Sequence, residues 1–482
     1  MRHPLSFRLT DGIGGHVVGA WKWLLVAGGL TVALAGGWAL GSTLAGGESA
    51  DPGSAETASP TTQQSSATTQ TGTGETTPAT RVVDPSCDLP PGEPFVGGPS
   101  AELVDLGEVN GVQVEGAVYP RPDYEGNPWT MWGQGIALAD GRFVSAIGDH
   151  LGPDGNSFVY EYDPATGSLA TLGDLLSYVE HTPGAWGYGK VHGQMVPGPC
   201  GEVYFASYWG TNRDLQYGSS YTGDYLFRLD PDQRTIAALG VPVQEHGIPS
   251  LAGASHLGLV YGEAIDPIAE SQNLDAGPLF VYDVVNEEVI FEGPASPHSG
   301  FRNVMVDAVG RAYYSIGGGE LSVYNPATND ITTHPHRMPG DWLRASTIPA
   351  GDGRVFAVTR DPDTFFILQP DGSIEGLGNP AEYTATMALH PDGSRFFFMP
   401  DAHGDAWQFG GALTSVDTNT GEQTVIAELN PLAEEGLGLR LGGTFSMAVS
   451  PAGDTVYIGA NAGPLGADDG FGEVVLLVVH IQ

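Results

Sequence analysis

His192, Arg302 and Arg344 hold corresponding places in the sequence. Each lies three residues, with a one-residue shift for Arg302, before the first inward apolar residue of a short alternating segment. Gly133, Ile248, Thr384 and Thr444 hold that place in the other four such segments. If the segments are equivalent inner strands of one ring, a histidine, two guanidiniums and two hydroxyls surround its mouth. Two guanidiniums converging on an axis repel unless something anionic stands between them. That is either a nearby carboxylate, such as Glu263 or Asp401, or the carboxylate, sulfate or phosphate of a ligand. In the second case His192 has the chemistry of a general base. Arg302 and Arg344 would then hold a substrate carboxylate and ease removal of the proton beside it.

Lys190, Tyr188, Trp132, Trp129 and Trp186 come just before their own inner strands, and Tyr208, Trp209 and Trp342 belong to the same side of the ring. Aromatic faces beside cations suit sugars and planar ligands. Packing between neighbouring units explains any one of them alone, so the cluster is the signal. His150, His192, His246 and His403 map to the same side and carry acid–base or metal chemistry. Asp149, Glu263, Asn303, Asp401 and Asn461 offer the oxygen atoms that calcium takes. No HExxH, paired CxxC or EF-hand loop accompanies them, which leaves the cofactor unassigned with calcium as its candidate.

These residues must be positioned by a repeat. VHGQMVPGPCGEVYFASYWG (191–210) shows its plan: an alternating strand, a Gly turn and a second strand. Segments 135–150, 250–264, 303–319, 346–361, 386–401 and 446–463 repeat it, and after six of the seven comes a second hairpin such as YEYDPATGSL or FRLDPDQRTI. Hairpins at this spacing, with Asp-Pro, Asn-Pro and Asp-Gly turns, predict an all-β, seven-bladed β-propeller of four-stranded blades. The last blade lacks an outer strand of its own, and Ala101 to Val109 alternates like one. The expectation is that this N-terminal strand closes the ring and removes the open edge. Gly 71 and Pro 36 in 482 residues fit the many turns.

The blade plan sorts residues by face. The turns holding Asp140, Asp163, His256, Asp352 and Asp392 lie at the bottom and read as turn formers, while the starts of the inner strands make the top. Cys200 sits in a bottom turn, and Cys87 precedes the closing strand, which also starts at the bottom. Cys87 and Cys200 are the only cysteines, so this topology predicts a disulfide between them.

Before the blades, residues 1–22 carry Arg2, Arg8 and Lys22, and Trp23 to Gly46 is an uncharged, largely apolar run long enough to span a bilayer. The reading is a cytoplasmic N-terminus, a transmembrane anchor at 23–46 and an extracytoplasmic propeller at the cell membrane. The rival is a signal peptide cleaved near Ala33-Leu34-Ala35, giving a secreted protein. Residues 47–83 are Ser, Thr, Gly and Gln-rich and read as a disordered linker, with the propeller over 84–482. The formal net charge of −39 excludes nucleic acid and disfavours anionic lipid as partners.

HPDGSRFFFMPD (390–401) and SPAGDTVYIGAN (450–461), with the LFxLDPxTG-like second hairpins, carry a resemblance over Ala101 to Gln482. The chain resembles bacterial extracytoplasmic propellers related to virginiamycin B lyase, gluconolactonase-like proteins and TolB-like repeats. That resemblance implies a propeller and not a reaction, since catalytic and noncatalytic families share these motifs. Two functions are therefore carried forward. One is a monomeric binding module taking a small anionic or carbohydrate ligand, or a protein partner, at the top mouth. The other is a lyase- or lactonase-type enzyme acting there on an anionic sugar or lactone.

Overall fold

The computed structural model describes residues 87 and 89–481, apart from 125, 127, 128, 150, 209–220, 266–276, 296–303, 381, 382, 401–410, 468 and 469. Seven antiparallel sheets follow one another in chain order: 136–174, 196–240, 247–292, 304–333, 342–378, 388–428 and 439–480. These are the blades of a seven-bladed β-propeller, each starting at its innermost strand. Alternation explains the stacking. In Phe143–Ile147 the side chains of Phe143 and Ile147 join the apolar seam shared with blade seven, and those of Val144 and Ala146 join the seam shared with blade two. A strand buried on both faces reads as a continuous apolar run, which is why the second strands of the blades stand out in the sequence.

Closure differs in register from the expectation. The strand that completes blade seven is Val112–Val118, paired antiparallel with Glu473–His480 from Val118↔Val475 to Gln113↔His480. Val104–Val109 is a fifth, outermost strand, turned back on Val112–Val118 through Asn110 and Gly111. Both turn residues have positive φ, 54° and 79°, the geometry an Asn-Gly hairpin takes readily. Of the two hairpin strands, Val112–Val118 has the more buried pattern, with Val114 fully enclosed, so it takes the inner slot. Helix Asn430–Leu437 packs on this hairpin beside Leu106, an element with no counterpart in the repeat.

The chain before the hairpin runs backwards round the rim as a belt. Glu93–Pro94 adds to the outer strand Thr235–Gly240 of blade two, and Ser100–Glu102 adds to the outer strand Ser168–Asp174 of blade one. Cys87 and Cys200 are disulfide-bonded with Cα atoms 5.6 Å apart, as expected, tying the belt's start to the bottom turn of blade two. The expectation of a single-pass membrane protein is corrected. Among the described residues no helix is long and apolar enough to cross a membrane, and the run 23–46 lies outside them.

Candidate functional site

Close packing of backbone at the top brings the inner strands together. Gly133 is required there, because a Cβ on it would lie 2.6 Å from the Val191 carbonyl and 2.7 Å from that of Gly193. Next to it, the Gln134 amide donates to the carbonyls of Met387 and Met447, linking blade one to the inner strands of blades six and seven. Gly135 N–H donates to the Ser446 hydroxyl. With the strands drawn in this far, side chains at their starts meet.

They form a contiguous arc. The Arg344 guanidinium of blade five donates through Nε to the Tyr383 hydroxyl, and the Arg360 guanidinium lies 5.7 Å from the same ring. Two residues on, Ala385 packs with Trp132 of blade one and Phe445 of blade seven. Trp132 lies against Phe445 and Phe471, and the Lys190 ammonium of blade two stands 4.4 Å from the centre of the Trp132 ring and 5.7 Å from that of Tyr208. The His192 ring is 5.1 Å from Tyr208, and its Nδ1 donates to the Pro249 carbonyl of blade three at 2.8 Å. A carbonyl oxygen only accepts, so Nδ1 carries a proton, and whenever the ring is neutral its lone pair is on Nε2. Tyr188 joins the arc through the apolar cluster it shares with Trp186, Tyr208 and Tyr221.

Burial separates the arc from the exposed ring expected of the sequence. Lys190, His192 and Trp132 are each 9% exposed and Arg344 only 1%. Cations on aromatic faces keep part of their electrostatic stabilisation when water is withdrawn, which helps Lys190 and Arg344 to tolerate the site. The arc has a carboxyl as well. Asp149 is fully buried beside Gly189 and accepts from Leu151 N–H at 2.9 Å. Burial raises its pKa to about 6, and the Leu151 N–H, Tyr124, Lys190 and Arg121 all pull it the other way.

Several proposed site residues serve the scaffold. The Thr384 hydroxyl donates to the Met399 carbonyl, and that of Thr444 donates to the Gly459 carbonyl while accepting from Ser446 N–H. Asn461 clasps both backbone groups of Met131, accepting from its N–H at 2.8 Å and donating to its carbonyl at 3.0 Å. An amide engaged at both ends is a poor metal ligand and a good clamp between blades seven and one. Trp129 packs on Phe158, Trp342 covers Gly317, and the His246 ring turns back to the Gln244 carbonyl. Glu263 is fully buried, with Ser250 opposite it as the one described group that eases its ionisation and no described arginine within hydrogen-bonding reach. It therefore neutralises none of the described arginines. No group of three or more His, Cys, Asp or Glu able to hold a metal occurs among the described residues. Arg302, Trp209, Asp401, Asn303, His150 and His403 lie outside them.

Gln134, Tyr383 and Arg360 belong to the arc without having been singled out in the sequence. Gln134 directly follows Gly133, one of the seven equivalent positions, so its place was readable. Tyr383 and Arg360 meet Arg344 only through the neighbouring blade and the adjacent strand, which no local pattern reports.

No family model matches the chain, and no curated protein matches it. Solved structures similar to it include virginiamycin B lyase from Staphylococcus aureus, with 10% identity over 76% of this chain and 99% of that one and a TM-score of 0.47. Oligogalacturonate lyase from Vibrio parahaemolyticus is similar with 11% identity over 80% and 98% and a TM-score of 0.47. At these values the likeness assigns neither a family nor an activity.

Proposed function

We propose that the propeller is a binding module whose ligand, a small anion of sugar-like size, sits at the top against the arc from Arg344 to His192. The observation that carries this reading is the Lys190 ammonium held 4.4 Å over Trp132 and beside Tyr208, shortly before the inner strand Val196–Pro197. A cation fixed between aromatic faces supplies a directed charge together with a flat apolar wall, the combination a uronate-like ligand uses. The strongly acidic surface repels anions at long range, so affinity depends on short charge-assisted bonds inside the mouth. Each contributes about 1.5–3 kcal/mol.

The test is titration of the protein with uronates, sulfates and phosphates, read by calorimetry and tryptophan fluorescence. Lys190→Met keeps the apolar stem and removes the charge. It should weaken binding by about ten- to a hundredfold, and a thermal melt of the variant separates that loss from any loss of folding. Equal binding by parent and variant would place the ligand elsewhere, and no binding of any member of the panel would sink the anion reading. Arg344 is a worse probe, because its burial makes substitution a stability lesion.

The enzymatic reading has one observation of its own in favour. With Nδ1 donating to Pro249, His192 keeps its basic nitrogen as Nε2, the tautomer a general base needs. Elimination on an oligouronate would yield an unsaturated product followed by ultraviolet absorbance. Product formation by the parent and its loss in His192→Gln would favour the enzyme over the binding module.

A further inference from the structure

The rim belt is attached very differently along its length. From residue 91 to 105 no side chain is buried, and the strand contacts are short: two residue pairs on blade two and three on blade one. Between them the hold is by a few hydrogen bonds, from Phe95 N–H to the Arg234 carbonyl, Gly97 N–H to the Leu172 carbonyl, Val96 N–H to the Tyr178 hydroxyl and both the N–H and the hydroxyl of Thr171 to the Pro99 carbonyl, with Phe95 the one partly buried ring among them. Beyond Leu106 the attachment changes to the buried closing hairpin. The only covalent hold on the weak part is the Cys87–Cys200 disulfide at its upstream end, where Arg228 also grips the Pro90 carbonyl. Cys87 is exposed and Cys200 partly so.

We infer that the disulfide is a redox latch that keeps the belt closed over the outer edges of blades two and one. A thiolate of a dithiol reductant attacks one cysteine sulfur, the S–S bond breaks, and the reductant's second thiol resolves the mixed disulfide. Two electrons and two protons pass to Cys87 and Cys200, which leave as thiols, while the reductant becomes a cyclic disulfide. Once the tether is cut, the weak pairing of residues 93–102 opens to water in a local transition that leaves the blades folded. Thr235–Gly240 and Ser168–Asp174 then become bare sheet edges, able to accept another extended segment. The propeller stays closed, because Val112–Val118 remains in place.

Hydrogen exchange read by mass spectrometry on the full chain tests this in three states: oxidised, treated with a dithiol reductant, and as the double variant Cys87→Ser with Cys200→Ser. Amides of 93–103 should exchange at least about tenfold faster in the second and third states. Amides of 112–118 and of the inner strands should keep their oxidised rates. Unchanged exchange over 93–103 would show that the pairing holds without the tether. Acceleration spreading through 112–118 would make the disulfide a staple of the whole ring. Either result overturns the latch.

Discussion

Replacing Glu263 with Gln should change how stability depends on pH, by an amount the structure sets. Glu263 lies on the second strand of blade three, opposite Ser250 and Leu279, and alternation turns it to the side of Leu259 and Tyr261, into the seam with blade four. Burial raises its pKa from 4.5 to about 8, with only Ser250 acting in the opposite direction. Below pH 4.5 the acid is protonated whether the chain is folded or not, and the group costs nothing. Between 4.5 and about 8 the unfolded chain has released this proton and the folded one holds it, so stability falls by about 1.4 kcal/mol per pH unit. Across the window, about 3.5 pH units, the loss reaches about 5 kcal/mol and then levels off. Gln has the same shape and no proton to lose. Urea unfolding of parent and variant, at steps from about pH 4.5 to about pH 8.5, removes the many other carboxylates by subtraction. The stability of the parent relative to Glu263→Gln should drop steadily through that window. A difference that stays flat would mean that Glu263 ionises in the folded protein as it does in water, and the account of its burial would be wrong.

Asn461→Ala should destabilise the propeller by about 2–4 kcal/mol, since it strands the buried N–H and carbonyl of Met131 at once, and urea midpoints will measure it. Gly133→Ala should cost about 1–3 kcal/mol or more, because the added carbon meets two backbone carbonyls that side-chain movement cannot relieve. Thermal unfolding checks it, and a parent-like melting temperature would show that the inner strands of blades one and two separate easily.

The blade plan was legible because it is local. In GIALADGRFVSAIGDH the turn at Asp140-Gly141 and the apolar run after it lie within one window, and the same holds for all seven hairpins. The disulfide was legible once the plan assigned Cys87 and Cys200 to one face. The closing strand differs from the expected one because Val104–Val109 alternates as Val112–Val118 does, and only the Asn110-Gly111 turn between them marks that the two are separate strands. The belt left no trace, since EPFVGGPSAE is too short and too rich in Gly and Pro to show a strand period. At the site, equivalence of position was readable and burial was not. Arg344 lies on the inner strand Trp342–Ser346 and Thr444 midway along Leu439–Val449, but whether such a residue faces solvent depends on what the next blade lays over it. Tyr383 does that for Arg344.

Closure by Val112–Val118 also sets the order in which the chain can finish folding. Its partner Glu473–His480 begins about 355 residues after it ends. At about 5–20 residues per second of synthesis, the early strand waits about 20–70 seconds for the late one. Blades one to six can assemble from neighbouring hairpins meanwhile, but the ring cannot shut before residues 473–480 have left the ribosome. Throughout that interval Val112, Val114 and Ala117 have no seventh blade to cover them. Ring closure is thus a late, long-range step, of the kind that slows folding and leaves an apolar strand edge exposed to wrong partners. A nascent chain stalled before residue 473 would be held in that state, and demand for holding chaperones should peak there and not during the making of the blades.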